Sequence, residues 1–150
     1  MIYKAFKKIK DSESIHHIDW ELFIVGKQRM KLSKLIDKRI SYELRFIDDS
    51  EVGNYFQRCN ILLLPYQNAS QSGNLVVGAQ FGLFPIISNL ESLVDQANIY
   101  YSNYLIGGPD FQSFYNTIDS ILLSFHLNQK PKFNCELPSL KKSAKLMKDL

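Results

Sequence analysis

The sequence predicts a doubly wound α/β domain, a three-layer α/β/α fold with a mainly parallel sheet. Apolar runs of four to five residues, rich in Ile, Leu and Val, recur along the chain. They lack the alternation of polar and apolar residues that half-exposed strands show, so they are typical of strands covered on both faces. Segments with the period of amphipathic helices separate these runs. Strands that alternate with helices in this way are joined by right-handed crossovers and run parallel.

Four apolar runs are predicted to be strands: residues 22–26, 44–47, 61–65 and 84–88. The short segment "LIGG" at 105–108 is predicted to contain an edge strand.

Helical periodicity fills the segments between the predicted strands. The first helix covers residues 2–9, and Ser50 is predicted to cap a second helix whose apolar stripe includes Val52 and Tyr55. A small-residue helix follows Asn74, and "ESLVDQ" at 91–96 forms a short one. The most regular helix is predicted to begin at Pro109 and to keep one apolar face as far as Phe125.

Length and composition indicate one domain, because 150 residues with 45% apolar content suit a single core. The two cysteines lie far apart and predict neither a disulfide nor a zinc site. The net charge of +3 is too small and too dispersed for a nucleic-acid binder. His16 and His17 have no second ligand cluster at a suitable spacing, so we interpret them as solvated loop residues and predict no metal.

The ends of the chain bear on its location. No apolar run is long enough for a membrane span or a signal peptide, which predicts a cytoplasmic protein. Residues 138–150 are predicted to form a helical appendage after a proline-containing connector. This appendage carries Lys141, Lys142, Lys145 and Lys148 beside apolar residues, so peripheral contact with the inner face of a membrane stays open as an alternative to full solvation.

A polar, small-residue loop, "QNASQSGN" at 67–74, follows the third predicted strand and precedes a helix. Ligands of open parallel sheets bind at the carboxyl ends of the strands. Backbone amides and a helix N-terminus at such a position suit a phosphate group. The loop contains neither a Walker motif nor a GxGxxG fingerprint, and a capped turn is the alternative interpretation.

The order of these segments adds a resemblance. Residues 46–96 contain an acidic loop, an amphipathic helix, "LLLPY", "ASQSG", a small-residue helix and "FPII", while "ELFIVGK" lies upstream. This order resembles the C-terminal, donor-binding half of retaining GT-B glycosyltransferases, the large group 1 or family-four type that includes many lipopolysaccharide and capsule enzymes. The resemblance covers about residues 1–125. It implies a single Rossmann-like donor-binding domain over residues 1–150 and a role in polysaccharide assembly.

The resemblance also implies a donor site without a metal or other cofactor. The backbone amides of Ser72, Gly73 and Asn74 would receive the diphosphate of a nucleotide-sugar donor. Ser70 and Gln71 would reach the sugar hydroxyls, and the strand end at Phe46 and Ile47 would border the base. Lys27 would offer a cation to the diphosphate, and a solvated turn lysine is the alternative interpretation. The second substrate would be a glycan or a lipid-linked acceptor.

Two features of the family's pattern are absent. Many members carry two glutamates seven residues apart near this loop, and here Ala69 or Ser70 and then Val77 or Gly78 occupy those positions. This sequence also has no counterpart of the family's first strand, of the Arg- and Lys-bearing loop after that strand or of the acceptor-binding domain. With the strand order 3-2-1-4-5-6, the first strand is central, between residues 22–26 and 61–65.

We therefore expect a truncated or split enzyme that is inactive alone. Its unpaired strand edges would be completed by a rearrangement, a second copy or a separate partner chain. The alternative function is a non-catalytic Rossmann-like interaction module, a remnant of a glycosyltransferase.

Overall fold

The computed structural model describes residues 2–12, 17–27, 34–108 and 110–127. Five helices and five strands lie in this part of the chain, and they alternate except that the first two strands follow each other. The helices are α1 (Ile2–Lys10), α2 (Asp49–Phe56), α3 (Gly73–Gln80), α4 (Glu91–Tyr100) and α5 (Phe111–His126). The strands are β1 (Leu22–Val25), β2 (Ile40–Glu43), β3 (Ile61–Leu64), β4 (Phe84–Ile87) and β5 (Leu105–Ile106).

The strands form two parallel sheets rather than one. β1 pairs with β2, and β3, β4 and β5 pair in that order. Within the described residues, β1 and β3 are not hydrogen-bonded to each other. Side by side, the two sheets have the strand order β2-β1-β3-β4-β5, with a gap between β1 and β3. The α/β class with parallel strands is confirmed, and no described strand lies in the gap between β1 and β3.

Helices cover both faces of the sheets. On one face, α1 and α5 contribute Phe6, Ile9, Phe114 and Ile118 to a core cluster that also contains residues of β1, β2 and β4. On the other face, α3 and α4 form a second cluster over β3 and β4. Side chains alternate between the faces of a strand, so adjacent residues of β4 belong to different clusters. The first cluster spans both sheets and holds them together.

The second strand differs from the prediction. Residues 44–47 form a loop, and β2 lies four residues earlier, at Ile40–Glu43. The segment "ISYE" alternates between apolar and polar residues, and Ile40 is the one buried residue of β2. Apolar runs therefore identified β1, β3 and β4 but misplaced β2, whose residues alternate.

Several helix ends also differ from the prediction. Asp48, not Ser50, is the N-cap of α2, and the Glu51 carboxylate accepts a hydrogen bond from the Asp48 amide at 3.4 Å. α5 begins at Phe111 rather than at Pro109, which lies outside the described residues. α4 runs to Tyr100, beyond the predicted 91–96. His16 and the predicted appendage at 138–150 also lie outside the described residues.

Candidate functional site

Loops at the carboxyl ends of β1 and β2 form one side of the candidate site. Gly26 follows β1 with φ 124°, a conformation that favours glycine, and it bends the chain so that Lys27 is exposed. Lys27 makes no ion pair with the described residues. Phe46 lies in the loop after β2 and is 69% exposed, which is unusual for a large apolar side chain.

The third loop ends at the N-terminus of α3. Ser72 is the N-cap and is buried, whereas Gly73 and Asn74 are exposed. No atom lies within 4 Å of the position that a Cβ of Gly73 would occupy. The amides of Gly73 and Asn74 are in the first turn, where the helix itself offers no acceptor. Neither amide has an acceptor within the helix.

Gln96 of α4 fixes this loop. Its side-chain oxygen accepts from the Ser72 amide at 2.9 Å, and its side-chain nitrogen donates to the Ser72 carbonyl at 3.1 Å. The Ser92 hydroxyl donates to the carbonyl of Ala69. Of the three amides assigned to the diphosphate, that of Ser72 is consequently already bonded within the chain. The two hydrogen bonds between Gln96 and the Ser72 backbone instead set the position of the amides of Gly73 and Asn74.

Tyr66 is a second residue of the site that the sequence did not identify. Its hydroxyl accepts from the Asn74 side-chain amide at 3.4 Å and lies 3.5 Å from the Ser72 hydroxyl, which donates to it. Its position two residues after the end of β3 is a usable signal in the sequence, because polar groups at strand ends meet at one edge of the sheet. No comparable signal pointed to Gln96, which is 24 residues from its partner Ser72.

A cavity of about 810 Å³ connects the loops. Four of the predicted site residues, Lys27, Phe46, Ile47 and Asn74, line it, and so does Tyr66. The remaining predicted residues do not line it: Ser70, Gln71, Ser72 and Gly73. Ser70 and Gln71 are exposed on the loop beside it. The cavity continues between β1 and β3 along the whole length of both strands.

Arg45 braces the loop after β2. Its guanidinium donates to Glu43 at 2.7 Å and to both oxygens of Glu51 at 2.7 and 2.9 Å. These hydrogen bonds hold the pKa of Glu51 below its usual value and raise the pKa of Arg45 further. Two carboxylates therefore neutralise the charge of Arg45. The Arg45 guanidinium also donates a hydrogen bond to the Phe46 carbonyl, which holds the loop after β2 in position.

The family was settled by comparison with known proteins. Residues 1–134 match the family described as glycosyl transferases group 1. The chain belongs to this family. Membership in the group 1 glycosyl transferases implies, in general terms, a sugar donor and an acceptor as substrates. No curated protein and no solved structure matches the chain.

The structure shows what occupies the positions of the glutamate pair seen in many group 1 glycosyl transferases. Gly78 is buried in α3, where a Cβ would lie 2.6 Å from Leu62 Cδ2 and 2.8 Å from the Tyr101 hydroxyl. A carboxylate therefore has no room at Gly78. Val77 is half-buried on the same helix, Ala69 packs against the second core cluster, and Ser70 is exposed. This group 1 glycosyl transferase chain thus presents no carboxylate to a donor from either position.

In the described part of the chain, no helix is both long and apolar enough to cross a membrane. The same residues contain no group of three or more His, Cys, Asp or Glu side chains placed to hold a metal ion.

Proposed function

We propose that the chain is the donor domain of a glycosyltransferase and binds the nucleotide diphosphate of a sugar donor at the carboxyl ends of β1, β2 and β3. Completed by an acceptor-binding half, it would transfer the sugar to a glycan or lipid-linked acceptor in polysaccharide assembly. The observation that carries the proposal is that Lys27, Phe46 and Asn74, from three separate loops, line one cavity.

Each of these residues suits one part of the donor. The Lys27 ammonium is an exposed cation, and the amides of Gly73 and Asn74 add the positive end of the α3 dipole. Both features suit a diphosphate. Phe46 offers an exposed aromatic face for a base, because every base has a face that can stack on an aromatic ring. Ser70 and Gln71 are exposed where sugar hydroxyls would extend.

Titration calorimetry with UDP, GDP and inorganic pyrophosphate tests the proposal. Replacing Lys27 with Ala should weaken the binding of all three ligands on the order of tenfold, since a charge-assisted hydrogen bond contributes about 1.5–3 kcal/mol. Lys38→Ala is the matched control, because Lys38 is an exposed lysine at the opposite, amino end of β2. It should leave the dissociation constants within about twofold.

A second substitution separates the base from the diphosphate. Phe46→Ala should weaken the binding of the nucleotides and leave that of pyrophosphate unchanged, because pyrophosphate has no base to stack. Absence of nucleotide and pyrophosphate binding at millimolar concentration would contradict the proposed site. Equal losses for Lys27→Ala and Lys38→Ala would contradict the role of Lys27.

A non-catalytic interaction module is the second candidate. It is favoured by the missing carboxylates at the two glutamate positions and by the Ser72 amide that Gln96 already occupies. This candidate predicts a chain that associates with a partner but binds no nucleotide, which the same titrations distinguish.

A further inference from the structure

We propose that the Tyr66 hydroxyl contacts the diphosphate of the sugar donor directly and donates a hydrogen bond to it. Tyr66 would thereby replace the Ser72 amide, whose hydrogen bond Gln96 already accepts. The inference rests on the proposed function, because it concerns the same anion site. It adds a side-chain hydroxyl to a site otherwise built from backbone amides and one lysine.

The phenolic hydrogen of Tyr66 has no acceptor among the described residues. A tyrosine hydroxyl has one hydrogen to donate and an oxygen that can accept. The oxygen accepts from the Asn74 side-chain amide at 3.4 Å and from the Ser72 hydroxyl at 3.5 Å. Both contacts use the acceptor side of the Tyr66 hydroxyl, so its hydrogen is available to a ligand.

These two contacts are also long. Strong hydrogen bonds are usually about 2.7–3.2 Å for N–H···O and about 2.5–3.0 Å for O–H···O. A hydroxyl hydrogen rotates toward the best acceptor in reach, and a charged phosphate oxygen is a stronger acceptor than the neutral Ser72 hydroxyl. The Tyr66 hydrogen should therefore turn to a bound anion, whichever way it points in the free chain.

The surroundings of the hydroxyl favour an anion. Tyr66, Asn74 and Lys27 all line the cavity at the carboxyl ends of the strands. A lysine ammonium can only donate, and the Asn74 amide has no acceptor within its helix. The two carboxylates that line the cavity, Asp19 and Glu21, precede β1 and lie at the opposite end of this strand. An anion beside Tyr66 thus meets hydrogen-bond donors and is remote from these carboxylates.

Packing holds the Tyr66 ring in place. The ring contacts the second core cluster, which contains Leu64 and Leu75. A side chain that is already fixed loses little rotamer freedom when a ligand binds. The loop after β3 thus exchanges one backbone hydrogen-bond donor, the Ser72 amide, for one preorganised side-chain donor.

Titration calorimetry with the variant Tyr66→Phe tests the inference. The substitution removes the hydroxyl and keeps the ring that packs against the second core cluster. The binding of UDP, GDP and pyrophosphate should weaken about tenfold, and equally for all three, because each contains the diphosphate to which the hydrogen bond is lost. Tyr104→Phe is the matched control, since the Tyr104 hydroxyl donates to the Asn98 side chain at 2.8 Å and Tyr104 does not line the cavity. It should leave the dissociation constants within about twofold.

A second variant separates a direct contact from an effect transmitted through Asn74. Asn74→Ala removes the side chain that donates to Tyr66 and keeps the backbone amide of the residue. With a direct contact, Tyr66→Phe should weaken binding about tenfold in the Asn74→Ala background as well. A double variant that binds as tightly as Asn74→Ala alone would show that Tyr66 only holds the Asn74 side chain, and would overturn the inference.

The remaining outcomes distinguish this inference from the proposed function. Unchanged affinity of Tyr66→Phe, in a chain that binds all three ligands, would overturn the role of Tyr66 and leave the sugar-donor site intact. A loss for the nucleotides without a loss for pyrophosphate would place Tyr66 at the nucleoside and overturn the diphosphate contact. Absence of binding by the unchanged chain at millimolar ligand would overturn the proposed function and this inference with it.

Discussion

Gln96 and Tyr66 show, at the scale of single residues, how side-chain hydrogen bonds position the loop of the candidate site. Gln96 bonds both backbone groups of Ser72, and the Tyr66 hydroxyl lies between Ser72 and Asn74. The α3 N-terminus is therefore held by side chains from the loop after β3 and from α4. Composition and periodicity cannot reveal such contacts, because they depend on how distant segments pack.

Replacing Gln96 with Ala should destabilise the chain by about 1–2 kcal/mol, because two hydrogen bonds to a part-buried backbone are lost. Nucleotide binding should weaken as well, since the amides of Gly73 and Asn74 lose their support. Chemical denaturation measures the first effect and calorimetry the second. Asp95→Ala, on the exposed side of the same helix, is the control and should change stability by less than about 0.5 kcal/mol. A Gln96→Ala variant as stable as Asp95→Ala would contradict the role of Gln96 in holding the loop.

Among the helices and strands, those with a continuous apolar run or a long apolar stripe were predictable. β1, β3 and β4 are apolar at nearly every position, and α5 repeats its apolar stripe for several turns. β2 was missed because its own residues alternate between apolar and polar, and the apolar residues of the loop that follows it have the composition of a strand. A pattern of apolar residues thus indicates which segments are buried. It identifies a helix or a strand only where the backbone of the buried segment is also hydrogen-bonded as a helix or a strand.

The start of α5 depends on one carboxylate. Asp110 accepts hydrogen bonds from the amides of Gln112 and Ser113 at 2.8 and 3.0 Å and from the Ser113 hydroxyl. The bonds from Ser113 contribute most to holding the pKa of Asp110 below its usual value of about 3.9. A carboxylate with a lowered pKa stabilises the fold at pH values above its unfolded-state pKa, and this contribution is lost as the pH falls through the folded-state pKa.

The variant Asp110→Asn keeps an N-cap oxygen but removes this titration. Its thermal unfolding midpoint should lie below that of the unchanged chain at pH 7, and the difference should shrink as the pH falls below about 4. Asp110→Ala has no cap and should unfold at a lower temperature than the Asn variant throughout the pH range. Thermal melts between pH 7 and pH 2 provide the comparison. A difference between the unchanged chain and the Asn variant that stays constant with pH would argue against the carboxylate as its source.

For the whole molecule, the central question is how two separate sheets behave as one body. The first core cluster answers it, because it contains residues of β1 and β2 together with residues of β4, α1 and α5. Phe114 is fully buried in this cluster, and Trp20 packs there against Phe6 with the ring centroids 5.8 Å apart. Arg39 covers the Trp20 ring at 4.1 Å. The two sheets should therefore unfold in one transition.

Replacing Phe114 with Ala should lower stability by about 3–5 kcal/mol, through lost apolar contact and the cavity that remains. Trp20 is the one tryptophan of the chain, so its fluorescence reports on the first sheet, and circular dichroism reports on the whole. Both denaturation midpoints should shift together. Ser120→Ala, on the exposed face of α5, should leave both midpoints nearly unchanged. A shift seen by circular dichroism alone would mean that the sheets unfold independently.

The lining of the cavity also bears on self-association. Strand edges without a partner are templates for aggregation. The edges of β1 and β3 that border the cavity lie among residues of α2 and α5, which line the same space. These edges are consequently enclosed by the fold and less available for edge-to-edge stacking between copies.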